Sequence, residues 1–276
     1  MEGSRLTIDD SLQIGNATTA SRWDGSGDGH LLLEIRVKRF PARGGAPALT
    51  VFEDFRLNLP EGRFYAIVGP SGCGKTTLLN IAAGLDRAFR GTVSLPAVRG
   101  REPMLGYVFQ NPRLLPWRTV AENLALVLHD APDQGERVAR WLREVGLEGL
   151  GSVYPSRLSV GMSRRAALAR AFAVEPDLLL MDEPFVSLDE PTARQMRGLL
   201  RRILGAHPTT VLFVTHDLRE AIALADRILF LSRPPARLLL DLPVELEADD
   251  RTDEGRVGAL WSRLRRDHAA TLEGVS

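Results

Sequence analysis

Apolar and polar positions change period several times along the chain, and each change predicts an element. Strand patterns cover 31–37, 52–59 (with alternating apolar positions) and 64–68, with Pro60-Glu61-Gly62 as a turn between the last two. The glycine-rich stretch 69–74 opens a helix that runs to about Ala83. Residues 119–150 and 157–174 carry apolar side chains three and four apart and are predicted helical. The short continuous apolar run at 178–181 predicts a strand buried on both faces. A helix over 190–205, a buried strand over 210–214, a helix over 217–225 and a strand over 228–231 follow. Strands alternating with helices over 60–235 predict an α/β domain with a largely parallel sheet. The helical block at 119–174 is too long for a simple crossover and is expected to form its own subdomain. Within 251–269, Val257, Leu260, Trp261 and Leu264 recur at helical spacing opposite a charged face. That pattern predicts a helix docked on its own domain, with a partner-binding helix as the alternative. Residues 1–30 are rich in Gly, Ser, Thr and Asp and read as a flexible extension.

Composition narrows the function classes. The 276 residues carry 35 basic and 35 acidic side chains, so no net charge draws the chain to nucleic acid or an anionic membrane. With Cys73 as its one cysteine, it forms no intrachain disulfide. No apolar run approaches the ~20 residues that span a bilayer, and no apolar signal core follows the polar start. A cytoplasmic soluble protein is expected. Only two of the basic residues are lysines, Lys38 and Lys75, which marks both for attention.

Gly69-Pro70-Ser71-Gly72-Cys73-Gly74-Lys75-Thr76-Thr77 fits the phosphate-binding P-loop, and it lies between an apolar strand and a helix. Glycines let backbone N–H groups crowd against phosphate oxygens, and the helix N-terminus aims its dipole at the same charge. Lys75 would reach the β- and γ-phosphates, and the Thr76 hydroxyl would ligate Mg²⁺. Cys73 reads as a small packing residue facing the helix. The strand at 178–181 ends in Asp182-Glu183, at the strand end where α/β sheets place ligands. Asp182 can hold Mg²⁺ through water and Glu183 can polarise an attacking water. His216 follows strand 210–214 in the same topological position and is read as a phosphate sensor. His30, His129, His207 and His268 show no metal-ligand spacing. Ser159 is a good N-cap for a helix over 160–173.

These motifs, in this order, resemble the ATP-binding subunit of an ABC transporter over about 31–245. The motifs are the P-loop, Val108-Phe109-Gln110, Leu158-Ser159-Val160-Gly161-Met162, Asp182-Glu183, Ser187-Leu188-Asp189 and His216. The resemblance implies a P-loop ATPase core with a mostly parallel sheet, an antiparallel β subdomain and a helical subdomain over about 111–174; residues 246–276, beyond it, are read from their apolar spacing as a helical tail. It implies ATP and Mg²⁺ as cofactors. Gln110 would be a metal-side and coupling residue, and Phe40 would stack on adenine, with Phe52 as the weaker candidate. Ser159 and Gly161 would meet the γ-phosphate held by a second subunit, and Asp189 would lie at that interface. Val160 replaces a glycine of the usual signature, and Ser163-Arg164 departs from the usual pair. The run from Gln110 to Asn123, with Leu114-Leu115-Pro116-Trp117, is similar to importers of nitrate, sulfonates and taurine. The implied partners are a second ATPase subunit, a membrane permease and, indirectly, a periplasmic solute-binding protein, at the cytoplasmic face of the inner membrane. Nucleic acid is not among them.

Three other classes remain open at this level: a P-loop kinase, a soluble ABC protein and a binding-only subunit. The kinase leaves the helical block and the signature without a role. The soluble class carries coiled-coil insertions or tandem cassettes that are absent from this sequence. The binding-only subunit is suggested by Val160.

Overall fold

The computed structural model describes residues 30–272 apart from 43, 96–100, 102 and 130. Except for His30, the proposed N-terminal extension lies outside the described residues. In chain order the strands are β1 (His30–Phe40), β2 (Leu49–Pro60), β3 (Phe64–Val68), β4 (Arg90–Ser94), β5 (Leu105–Val108), β6 (Leu178–Asp182), β7 (Thr210–Thr215), β8 (Arg227–Leu231) and β9 (Leu238–Pro243). The helices are α1 (Lys75–Ala82), α2 (Val120–Ala125), α3 (Gln134–Glu144), α4 (Val160–Ala173), α5 (Glu190–Ala206), α6 (Leu218–Leu224), α7 (Glu254–Asp267) and α8 (Ala269–Leu272).

Among the described residues the strands form two sheets. One is antiparallel in the order β2-β1-β4. The other runs β5-β6-β7-β3-β8-β9 and is parallel except for the β8–β9 pair. The central strands of the large sheet are apolar without alternation because both of their faces are covered. Phe64, Ala66 and Val68 of β3 enter one core, together with Val211 and Phe213 of β7 and residues of α2 to α7. Tyr65 and Ile67 point the other way, into a second core shared with α1 and the antiparallel sheet. The sheet is thus a partition between two cores, and its upper edge collects the loops that carry the chemistry.

The helical block differs from the continuous pattern expected over 119–150. A capping box between Thr119 and Glu122 starts α2. The chain leaves the helical path before Pro132, which has no N–H to continue a ladder. After α3, Gly146 turns the chain with φ +68°. Trp141 of α3 is fully buried and stacks on Phe172 of α4 with ring centroids 5.5 Å apart. That contact locks the helices of the block to each other. Strands β4, β5 and β9 were not predicted from the sequence. β5 has only four residues and β9 is a half-exposed edge, so neither carries a strong pattern. β5 holds its place by close approach: a Cβ on Gly106 would stand 2.6 Å from the Ala171 carbonyl oxygen of α4. At the other end, α7 buries Val257, Leu260 and Leu264 in the core, and Arg219 of α6 lies 4.7 Å over the Trp261 ring.

Candidate functional site

Sheet order brings the motif residues together. β7, which leads into His216, lies between β3, which leads into the P-loop, and β6, which ends at Asp182. β5, which leads to Gln110, flanks β6 on the far side. Four loops therefore leave adjacent strand ends in parallel, at the edge where α/β sheets bind ligands.

The P-loop turns back on left-handed glycines, Gly72 at φ +77° and Gly74 at φ +108°. Gly74 admits no side chain: a Cβ there would lie 2.3 Å from Val51 Cγ1. It also occupies the N-cap of α1, so no side chain caps the first N–H groups of that helix. Those donors are left to face an anion. Lys75 is buried and donates from Nζ to the Gly69 and Pro70 carbonyls at 2.7 and 3.1 Å. Cys73 is buried beneath the loop, where burial raises its thiol pKa. That environment suits packing and opposes thiolate chemistry.

The Thr76 hydroxyl donates to Asp182 Oδ1 at 3.0 Å, joining the two expected magnesium-side groups. Burial pushes the Asp182 carboxyl above the usual carboxylate range, against the hydrogen bond from Thr76. Among the described residues, no cluster of three or more His, Cys, Asp or Glu could hold a metal. The pair suits an ion that arrives with phosphate oxygens as its other ligands. Glu183 is one residue on, with φ +43°, and its N–H donates to the Val214 carbonyl at 2.9 Å. That unusual backbone turns its carboxylate out of the sheet, and Oε2 lies 3.1 Å from His216 Nδ1. With Glu183 ionised, only an imidazole carrying a proton on Nδ1 makes this bond.

Gln110 is exposed, and its carbonyl accepts a 2.5 Å hydrogen bond from Arg164 Nη1. Ser159 caps α4 by accepting from the Met162 N–H, and Asp189 caps α5 by accepting from the Thr192 N–H. Val160 sits in the first turn of α4 and is 57% exposed, and Gly161 beside it packs close to Thr192. Phe40 ends β1, 42% exposed, with Lys38 Nζ 4.6 Å from its ring centroid. Phe52 is fully buried in the core under the P-loop, so it offers no face for stacking.

Two positioning residues were missed by sequence reasoning. Arg164, registered there only as a departure, is buried and also donates from Nη2 to the Val186 carbonyl at 2.9 Å. It ties the signature helix to the Gln110 segment and to the segment after Glu183. Asn123 is fully buried; its Oδ1 accepts from the Leu115 N–H, and its Nδ2 donates to the Leu115, Arg118 and Thr119 carbonyls. These bonds shape the 114–119 loop, which leaves Trp117 71% exposed. Lys38 did carry a signal, its rarity. It is buried in an ion pair with Asp86 at 2.7 Å that pins β1 to the segment after α1.

Glu220 of α6 accepts from the Thr215 hydroxyl at 2.6 Å, one residue before His216. Burial pushes its carboxyl up to about 7, from 4.5. Between those values the folded protein keeps a proton that the unfolded chain has released. Stability therefore falls as pH rises through that window, by up to roughly 3 kcal/mol. Glu220→Gln removes the titration and keeps the acceptor. Relative to the native chain, it should gain stability between pH 5 and 8 in denaturant melts. A difference that does not vary with pH would refute this.

A P-loop, a carboxylate pair at the end of β6 and a histidine just after the strand between them define a nucleotide-hydrolysing cassette. The "ABC transporter" family model matches residues 52–186. The chain belongs to the ATP-binding subunits of the ABC transporters, and its activity is ATP hydrolysis coupled to transport. Among its relatives is the aliphatic sulfonates import ATP-binding protein SsuB 2 of Burkholderia lata, 45% identical over 78% of this chain and 80% of the relative. SsuB 1 of Pseudomonas savastanoi pv. phaseolicola is 41% identical over 80% and 90%. Among solved structures, a dimeric post-hydrolysis state of the ATP-binding cassette MJ0796 bound to ADP and Pi is similar. It superposes with a TM-score of 0.67 at 27% identity, covering 79% of this chain and all of that one.

Proposed function

We propose that this chain powers import of an aliphatic sulfonate or a closely related small anion through a membrane permease, with two copies closing on ATP. The observation that carries the importer and solute reading is the 40–45% identity to the sulfonate-import subunits over most of both chains. The site roles follow from the motif resemblance, together with the geometry that brings Lys75, Thr76, Asp182, Glu183 and His216 to one sheet edge. Lys75 and the N-terminus of α1 bind the phosphates, and Phe40 stacks on adenine. Thr76 and Asp182 would hold Mg²⁺, which would supply charge neutralisation at the phosphates. Glu183 takes the proton of the attacking water, and His216 orients Glu183 and contacts the γ-phosphate. Gln110 links that phosphate to the permease side. In a closed pair, Ser159 and Gly161 face the partner's nucleotide, with Asp189 beside them. Among the described residues no helix is long and apolar enough to cross a membrane. A periplasmic binding protein would deliver the solute.

Two experiments test this reading. Deleting the gene should abolish growth on an alkanesulfonate as sole sulfur source and spare growth on sulfate. Unimpaired growth on sulfonate would overturn the solute assignment. Within the complex, the exposed Trp117 on its braced loop is the proposed permease contact, since an aromatic gives large contact area with little entropy to lose. Trp117→Ala should cut transport at least about tenfold, the loss for a contact of ~1.4 kcal/mol or more. Basal ATP hydrolysis and melting temperature should be retained. Parallel loss of transport, hydrolysis and melting temperature would make Trp117 a packing residue.

A further inference from the structure

A cavity of about 230 Å³ is walled by α5, α6 and the segment that leads into α7, and its lining residues Glu190 and Asp217 directly follow Asp189 and His216. Its lining includes five arginines and four carboxylates. Three of the arginines are already matched: Arg194 pairs with Glu254, Arg197 with Glu190 at 2.6 Å, and Arg251 with Asp226 at 3.2 Å. Arg219 is stacked over Trp261. Two of the acids are engaged elsewhere, Asp217 with the Arg219 backbone N–H and Glu220 with Thr215.

Arg201 is the exception. Among the described residues it has no ion pair or hydrogen bond, and its Nη1 is shut off from solvent without a partner. Burial, with Arg197 and Arg251 nearby, lowers its pKa. Arg201 is part-exposed overall, but it is a half-buried guanidinium with no counter-charge, and a bound anion would supply one. Guanidinium forks match the paired oxygens of phosphate, sulfate and sulfonate groups.

We propose that this cavity binds a small tetrahedral oxyanion, with Arg201 as its principal ligand and Arg197 and Arg219 at its rim. The site sits between the core and α7, and one wall, α6, follows His216 directly. The anion would fasten the C-terminal helix to the core beside the catalytic loop. This reading is independent of which solute the permease carries.

The test must exclude the P-loop, which also attracts oxyanions. The full chain is saturated with a non-hydrolysable ATP analogue and Mg²⁺, then titrated calorimetrically with inorganic phosphate, sulfate and ethanesulfonate in separate arms. One equivalent of at least one anion should bind, and the tightest arm names the source. Arg201→Gln should weaken that binding at least tenfold and abolish the anion's rise in melting temperature. Arg201→Lys, which keeps the charge but loses the fork, should fall between them and serves if the glutamine variant misfolds. No binding in any arm, or affinity unchanged in both variants, would overturn the site and leave an arginine that is merely solvated.

Discussion

Glu183→Gln is expected to bind ATP with near-native affinity yet to lose about 10²–10⁴-fold in turnover, the range typical of a missing general base. The substitution keeps the length and hydrogen-bonding capacity of the side chain, so its contact with His216 at 3.1 Å can persist. The positive φ of Glu183 is a backbone property and is expected to survive an isosteric change. What disappears is the capacity to take a proton from water. Two copies that have closed on ATP then cannot reopen through hydrolysis. Gel filtration with light scattering should show an ATP-dependent dimer that accumulates in the variant and is transient in the native chain. A variant that turns over at the native rate would show that the base lies elsewhere.

Lys75→Ala is expected to weaken ATP binding by roughly 10–100-fold, the equivalent of a charge-assisted contact of about 1.5–3 kcal/mol. Turnover should fall further, because the ammonium also neutralises charge that develops on the transferring phosphoryl group. The nucleotide-free geometry adds a second signature. Lys75 Nζ donates to two P-loop carbonyls, so its removal leaves them with a partner fewer and should lower the melting temperature of the apo protein as well. Calorimetric titration and apo melting together separate the two contributions. Unchanged nucleotide affinity would contradict the phosphate-site reading.

The two variants draw on motifs that were legible in the sequence, and the reason is local. A P-loop is a contiguous turn whose glycines are required by its own backbone, as the φ of +77° at Gly72 and +108° at Gly74 illustrates. Asp182 ends a five-residue buried strand and Glu183 follows it, so their neighbours in sequence announce where they lie. Ser159 caps the helix that follows it, again within three residues. The long helical block was less legible. Its apolar spacing was continuous, while Pro132 and Gly146 broke it into separate helices.

Sequence alone therefore determined the class of core, where the phosphate loop and the carboxylate pair lie, and the cap at Ser159, because each depends on residues a few positions apart. Only the tertiary structure decided the rest. Strand order put His216 between the P-loop and Asp182, and no local pattern encodes which strands become neighbours. The strands β4 and β9 took shape by pairing with β1 and β8. Arg164 became a brace for the Gln110 segment through a contact spanning 54 positions. Asn123 and Arg201 look like ordinary polar helix residues until packing closes around them. The physical reason is common to all four cases: long-range pairing and burial decide whether a polar group meets water, a carbonyl or nothing, and the chain does not carry that information locally.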